Sequence, residues 1–282
     1  LKPQFIMKSL SAILLCILFL YLGCSSNDAS FNNSVGESMN PEIFIPTSGT
    51  TFEWRLDELP NNFTTPAEVI DIDAFSSSSE LVSNLQAQGK KVFAYLSVGS
   101  VENFRDDAGD FPQEIIGNVY EGFEDENWLD IREIDLLTPI MRARLDMVKA
   151  KGFDGIEPDN INGYQNNTGF NLTEEDAKLY SRWLIAEAHN RGLSIGQKNA
   201  EELIPEMVNE FDWLLTEDAF VENFYQQLSP YINADKAVFF VEYTDRISEE
   251  DFQNLVCPEA TSQNFSAVLK DRDLTNVTFY CN

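Results

Sequence analysis

Glu157, Asp159 and Asn160 stand together behind a short apolar run, residues 153–156, with Pro158 between the two acids and a loop rich in Gly and Asn after them. Side chains two apart on a strand point the same way, so a strand here brings both carboxylates to one face. Two carboxylates and an amide at a strand end suit hydrolysis, in which one acid attacks or activates and the other moves a proton. The plainer reading of the same residues is a polar turn in which Asp159 and Asn160 cap the backbone. Other strands decide between the two, by delivering partners to the same place or failing to.

The chain around this stretch alternates β-rich runs with helical patterns. Strands are expected at 52–56, 69–73, 92–98, 153–157, 193–197, 213–216, 237–243 and 265–269. Helices are expected at 81–88, 139–151, 173–191, 200–210, 222–232 and 248–256. The 139–151 helix places Ile140, Ala143, Arg144, Met147 and Val148 on one side and stops at Gly152. Thr173 opens the next helix, with Glu174, Glu175 and Asp176 in its first turn, where the helix dipole favours acids. Residues 100–133 read as a long, irregular, acidic insertion. Strands alternating with helices in this way indicate an α/β protein, a single (β/α)8 TIM barrel. No glycine-rich phosphate loop follows the first strand, which disfavours a dinucleotide fold.

In such a barrel the residues just past each strand share one rim. They include Asp73; Gly99, Glu102 and Arg105; Glu157, Asp159 and Asn160; Lys198 and Asn199; Glu217 and Asp218; Glu242 and Tyr243; and Lys270 with Asp271. That inventory fits glycoside hydrolysis, which needs two carboxyl groups flanking the bond. Trp54, Tyr95, Tyr164 and Tyr243 lie at or near strand ends, where aromatic faces stack on sugar rings, with core packing as the plainer reading. The single histidine, His189, is expected on a helix surface, which disfavours a zinc centre or a Ser-His-Asp triad. The chemistry calls for no cofactor and no metal.

The formal net charge is −28, with 43% hydrophobic and 12% aromatic residues. This is a globular composition that repels nucleic acid and suits a cationic or neutral partner. Near the N-terminus, Met7 and Lys8 precede an apolar run at 10–22, the pattern of a signal peptide over 1–23. The run ends in Leu22, Gly23 and Cys24, which resembles a bacterial lipobox with Cys24 as the lipidation site. Simple secretion with cleavage nearby is the alternative. Residues 24–46, rich in Ser and Asn, read as a flexible tether, and 47–282 as the hydrolase domain. The expectation is an exported, membrane-anchored bacterial lipoprotein at the outer membrane or cell surface, monomeric and touching the membrane only through its lipid. Cys257 and Cys281 remain, and export would let them form a disulfide.

Several stretches together resemble glycoside hydrolase family 114, the endo-α-1,4-polygalactosaminidase family. They are the Phe-Glu-Trp-Arg-Leu run at 52–56, Val-Ile-Asp-Ile-Asp at 69–73, residues 92–102 with Arg105, Trp-Leu-Asp-Ile-Arg at 128–132, residues 152–160, and Gln-Lys-Asn-Ala at 197–200. Their order and spacing carry the resemblance over most of residues 51–245. It implies a (β/α)8 barrel that cleaves inside α-1,4-linked galactosamine polymers, with Asp159 and Glu217 as the catalytic pair. Asp159 is then expected as a nucleophile kept ionised by Lys198. Glu217 is expected as the acid/base, its pKa raised by burial and like charge, with Glu157 in reserve for either role. Trp54, Asp73, Tyr95, Glu102, Arg105, Glu157, Asn160, Lys198, Asn199 and Tyr243 are the expected substrate-binding residues. Among them Asp73, Glu102 and Glu157 are candidates to meet the polymer's ammonium groups. The rival readings are a non-catalytic surface lipoprotein that binds amino-polysaccharide, and a glycosidase acting on another α-linked glycan.

Overall fold

Period-two alternation sends one set of side chains to the centre of a rolled sheet and the other set outward to helices. The computed structural model describes residues 43–281. Its strands are β1 (Phe52–Arg55), β2 (Val69–Asp73), β3 (Lys91–Ser97), β4 (Ser100–Glu102), β5 (Ile116–Tyr120), β6 (Phe123–Leu129), β7 (Gly155–Asp159), β8 (Ser194–Lys198), β9 (Trp213–Glu217), β10 (Val238–Tyr243), β11 (Ser266–Lys270) and β12 (Thr278–Tyr280). Eight of them run parallel in the order β1-β2-β3-β7-β8-β9-β10-β11, a nearly closed, TIM-like barrel. These eight coincide with the eight expected from the sequence, with ends shifted by a residue or two.

Beside β11, β12 pairs antiparallel and covers the seam. Glu53 of β1 accepts from Lys270 Nζ at 3.2 Å, from Thr278 Oγ1 at 2.8 Å and from the Tyr280 hydroxyl. Cys257 and Cys281 are joined, tying the chain after β12 to the helix before β11.

The interior is layered. Phe93 and Trp213 stack at 4.7 Å, and Phe52 stacks on Phe239 at 4.2 Å. Two glycines make room for the first stack. A Cβ at Gly155 would lie 2.9 Å from the Phe93 ring, and one at Gly196 would lie 2.4 Å from Trp213. Two residues beyond those glycines come Glu157 and Lys198, and the polar layer begins directly above the aromatic one.

Helices cover the outside. The long ones are α1 (Ser79–Ala87), α2 (Ile134–Lys151) and α3 (Glu174–His189). Thr173 caps α3 through a reciprocal pair with Asp176, and α2 ends at Gly152 in the left-handed conformation, φ +93°. The buried face of α2 differs from expectation: the helix starts at Ile134, its buried stripe adds Leu137, Met141 and Leu145, and Ala143 is exposed. Of the three later helices, the first two are shorter than expected and the third is longer. Residues 200–210 hold a 3-10 turn and α4 (Ile204–Met207), and 222–232 hold a 3-10 turn leading into α5 (Ser229–Asn233). Pro205 and Pro230 sit in first turns, where a missing N–H costs nothing, so the helices begin there. The third region, expected at 248–256, runs from α6 (Glu249–Asp251) through a π-helical turn into α7 (Cys257–Ser262).

The insertion corrects the sequence reading most. Residues 100–133 are not irregular; they carry a three-stranded antiparallel sheet in the order β4-β6-β5, with a tight turn at Glu121 and Gly122. Register breaks between Ile116, Val119 and Tyr120 destroy the alternation that would have announced it. His189 is also not a plain surface residue: its Nε2 lies 2.9 Å from Asp212 Oδ2 and its side chain is one-third exposed.

Residues 43–46, at the end of the expected tether, pack on the barrel, where the Pro46 carbonyl accepts from the Ala237 N–H at 2.9 Å and Phe44 approaches Phe93. The signal peptide, Cys24 and the tether up to residue 42 lie outside the described residues. Among the described residues no helix is long and apolar enough to cross a membrane.

Candidate active site

At the C-terminal ends of the strands a cavity of about 440 Å³ opens above the polar layer. Its floor is built around one ammonium group. Lys198, buried, places Nζ 2.8 Å from Glu157 Oε1, 2.9 Å from Asp159 Oδ1 and 3.2 Å from Glu217 Oε2. The Trp54 ring lies 4.6 Å from the same nitrogen. Burial alone would lower the lysine's pKa, but the surrounding carboxylates of Asp159, Glu157 and Glu217 overcome it and push it well up, so Lys198 is charged.

The other atoms of the pair are held too. Tyr95 donates to Asp159 Oδ2 at 3.1 Å. Glu217 accepts from the Tyr243 hydroxyl on one oxygen and from Asn199 Nδ2 on the other at 2.9 Å, while its own N–H donates back to Asn199 Oδ1 at 3.0 Å. The backbone turns sharply just past each of these side chains. Asn160, Asn199 and Asp218, which directly follow Asp159, Lys198 and Glu217, are all left-handed, at φ 68°, 47° and 54°. Short polar side chains tolerate that conformation better than others. Gly99 allows the first of these turns, since a Cβ there would lie 1.8 Å from the Asn160 carbonyl oxygen.

Of the expected residues, Trp54, Tyr95, Asp159, Asn160, Lys198, Asn199, Glu217 and Tyr243 line the cavity. Four do not. Glu157 is fully buried beneath Lys198, so it cannot touch a sugar, in either reserve role or as an ammonium ligand. Asp73 and Glu102 grip two adjacent edges of the Arg105 guanidinium, at 2.6 and 2.8 Å from its shared Nη2, and so bolt the end of β2 to the insertion. Their charges are spent on Arg105, not offered to a ligand. Tyr164 bonds Glu202 outside the cavity.

Asp218, named with the rim, lines the cavity too, and so do residues that the sequence reading did not single out: Tyr120, Phe123 and Glu126 from the insertion, and Arg272 and Asp273 from the loop after β11. The insertion residues were hidden with the sheet that carries them. Arg272 sits 3.8 Å over the Tyr243 ring and binds Asp218 at 3.0 Å. Among the described residues no group of three or more His, Cys, Asp or Glu side chains is placed to hold a metal ion.

The charges differ from expectation at Glu217. Burial raises its pKa, but Lys198 and the hydrogen bonds from Tyr243 and Asn199 outweigh that and hold it below the usual carboxylate range. Beneath the pair the reverse happens. Burial pushes Glu157 up to about 7 against the pull of Lys198, and burial together with the facing Glu157 carboxyl raises Asp71 well above its ordinary value. Both Asp71 oxygens and Glu157 Oε2 lack a protein donor, as expected for two carboxyl groups that share a proton.

These raised acids set a pH dependence. Between about pH 4.5 and 7 the folded chain holds protons at Asp71, Glu157, Glu126 and Glu242 that the unfolded chain releases. Stability therefore falls as pH rises through that window, by on the order of 1–3 kcal/mol from the fully buried pair. Below the window, protonating the depressed carboxylates Glu217 and Asp73 removes stability again. Thermal melts from pH 4 to 8.5 are expected to peak on the acid side of neutrality; a maximum at pH 7.5 or above would show that the buried acids are not protonated.

The sequence profile of glycoside-hydrolase family GH114 matches residues 35–282. The structure is similar to that of Ega3 from Aspergillus fumigatus in complex with galactosamine, at 33% identity and a TM-score of 0.80, covering 85% of this chain and 98% of that one. It is also similar to the glycoside hydrolase domain of PelA from Pseudomonas aeruginosa, at 15% identity and a TM-score of 0.64, covering 82% of this chain and 98% of that one, a likeness of fold. No curated protein matches the sequence.

Proposed function

The chain belongs to glycoside-hydrolase family GH114, and from that premise we propose that it is an endo-acting hydrolase of α-1,4-linked galactosamine-containing polysaccharide, with Asp159 and Glu217 as its catalytic pair. The observation that carries this reading is the meeting of both carboxylates on one ammonium at the cavity floor. The galactosamine bound by Ega3 supports the sugar class.

The spacing favours retention. Asp159 Oδ1 and Glu217 Oε2 reach Lys198 Nζ at 2.9 and 3.2 Å. Laid end to end, those contacts fall short of the roughly 6.5–9.5 Å that inverting pairs leave for a water. In the retaining course Asp159 attacks the anomeric carbon, the glycosidic bond breaks, and Glu217 gives its proton to the departing oxygen. Glu217 then takes a proton from water, which attacks the same carbon and releases Asp159. Lys198 holds one oxygen of the nucleophile and the Tyr95 hydroxyl holds the other.

The depressed pKa of Glu217 favours a second reading inside the same pair, in which Glu217 attacks and Asp159 moves the proton. The leader and Cys24 fit an exported, lipid-anchored form of the enzyme.

Reducing-end release from partly deacetylated α-1,4-galactosamine polymer tests the proposal. Release by the protein supports it. Binding without release would favour the non-catalytic lipoprotein, and release only from a neutral α-glycan would change the substrate. The net charge of −28 adds an expectation. Raising salt from ~20 to ~500 mM is expected to lower kcat/KM on the free-amine polymer by at least about fivefold, because the attraction that gathers a cationic chain is screened. A flat salt profile would remove charge from the account.

A further inference from the structure

Glu126 is the cavity carboxylate whose charge goes unanswered. It lies on β6, opposite Glu102 in the antiparallel ladder, and its residue is only 8% exposed. Its Oε2 accepts from Ser100 Oγ at 2.8 Å, and Ser100 Oγ is shared with Ser97 at 2.6 Å and with Asn160 Nδ2 at 3.0 Å. That network fixes the carboxylate without neutralising it. The other half-buried acids that line the cavity each meet a cation: Asp159 and Glu217 meet Lys198, and Asp218 meets Arg272. Among the described residues Glu126 meets none, and Oε1 has no donor.

A buried carboxylate without a counter-ion is costly, and burial, with Glu102 and Asp159 nearby, pushes Glu126 up to about 7. An ammonium entering the cavity would supply the missing partner. The neighbouring surface suits a sugar that carries one. Tyr120 and Phe123 line the cavity with Glu126, and the Tyr120 ring packs at a tilt against Phe123 at 4.9 Å and Trp128 at 4.3 Å, which adds an aromatic wall to the carboxylate.

We infer that Glu126 binds the free amine of the sugar and so selects galactosamine units over their N-acetylated counterparts. The inference rests on the amino-polysaccharide reading above. An N-acetyl group carries no charge to pair with Glu126 and would leave its Oε1 buried against an amide. Glu126 is then a specificity-determining residue, supplied by the insertion and not by the barrel strands.

Titration calorimetry tests this on the full chain bearing Asp159→Asn, so that ligands survive. The probes are an α-1,4-galactosamine tetramer and its fully N-acetylated form. Adding Glu126→Gln, which preserves the shape and the acceptor for Ser100, is expected to weaken the free-amine tetramer about 10–100-fold and leave the acetylated one within about twofold. Glu126→Asp, which keeps the charge, is expected to recover part of the preference. Equal losses for both ligands, or no loss for the free amine, would overturn the role of Glu126 while leaving the functional reading in place. If the parent binds neither tetramer, the amino-polysaccharide reading fails and the inference with it.

Discussion

Asp159→Ala is expected to lower kcat on the polymer by roughly four orders of magnitude or more, and Glu217→Ala by about 10²–10⁴-fold, with both proteins folded. The two losses separate when the leaving group no longer needs a proton. On an aryl glycoside of an α-1,4-galactosamine oligomer, glycosyl transfer to the enzyme should largely survive Glu217→Ala, because a phenolate departs unaided. It should not survive Asp159→Ala, which removes the attacking atom. Added azide sharpens the result. It should rescue Glu217→Ala as the α-glycosyl azide, through the covalent intermediate, and Asp159→Ala only as the β-azide, by direct displacement. The opposite pattern would exchange the roles, as the three donors on Glu217 suggest. Full activity in either variant would remove that residue from the chemistry.

Lys198→Met carries the second large effect. Its ammonium is the shared counter-ion of Glu157, Asp159 and Glu217, all within 3.2 Å. Removing one partner of a buried ionic cluster leaves uncompensated charge, which costs about 3–5 kcal/mol. Urea unfolding at pH 7 should show that loss together with a fall in activity of at least about a hundredfold. The sign of its pH dependence follows directly. Without the lysine, Glu157 and Glu217 lose the charge that holds their pKa down and take up protons more readily as the pH falls, so the destabilisation should be smaller at pH 5 than at pH 7. A variant as stable as the parent at pH 7 would mean that the floor does not depend on its central charge.

The barrel was legible because its signals are local. Gly152 ends α2, Thr173 and Asp176 begin α3, and the apolar runs at 69–73, 92–98 and 213–216 are unmistakably β. The gathering of Asp159, Lys198 and Glu217 at one rim was legible for the same reason, since each ends a strand, whereas the choice of Asp159 and Glu217 as a pair rests on the family resemblance. What was not legible depends on distance. The sequence offers Asp73 and Glu102 as free acids because it does not show that Arg105 folds back between them. It suggests a raised pKa at Glu217 from burial and like charge, while Lys198 and the Tyr243 hydroxyl, on the strands to either side, hold it down. Glu126 looks like one acid in an acidic run until the insertion folds and turns it toward Asn160 through Ser100.

The seam between β1 and β11 has a consequence for the order of events during translation. Glu53 waits 217 residues for Lys270, 225 for Thr278 and 227 for Tyr280. A ribosome-bound chain that has displayed β1 through β10 still has an open sheet, with two bare edges and a carboxylate without its lysine. Contacts this far apart in sequence are slow to form and leave intermediates exposed to association. Closure belongs to the final moments of synthesis, and nascent chains arrested before Lys270 should cling to chaperones or to one another, whereas those extending past Tyr280 should let go.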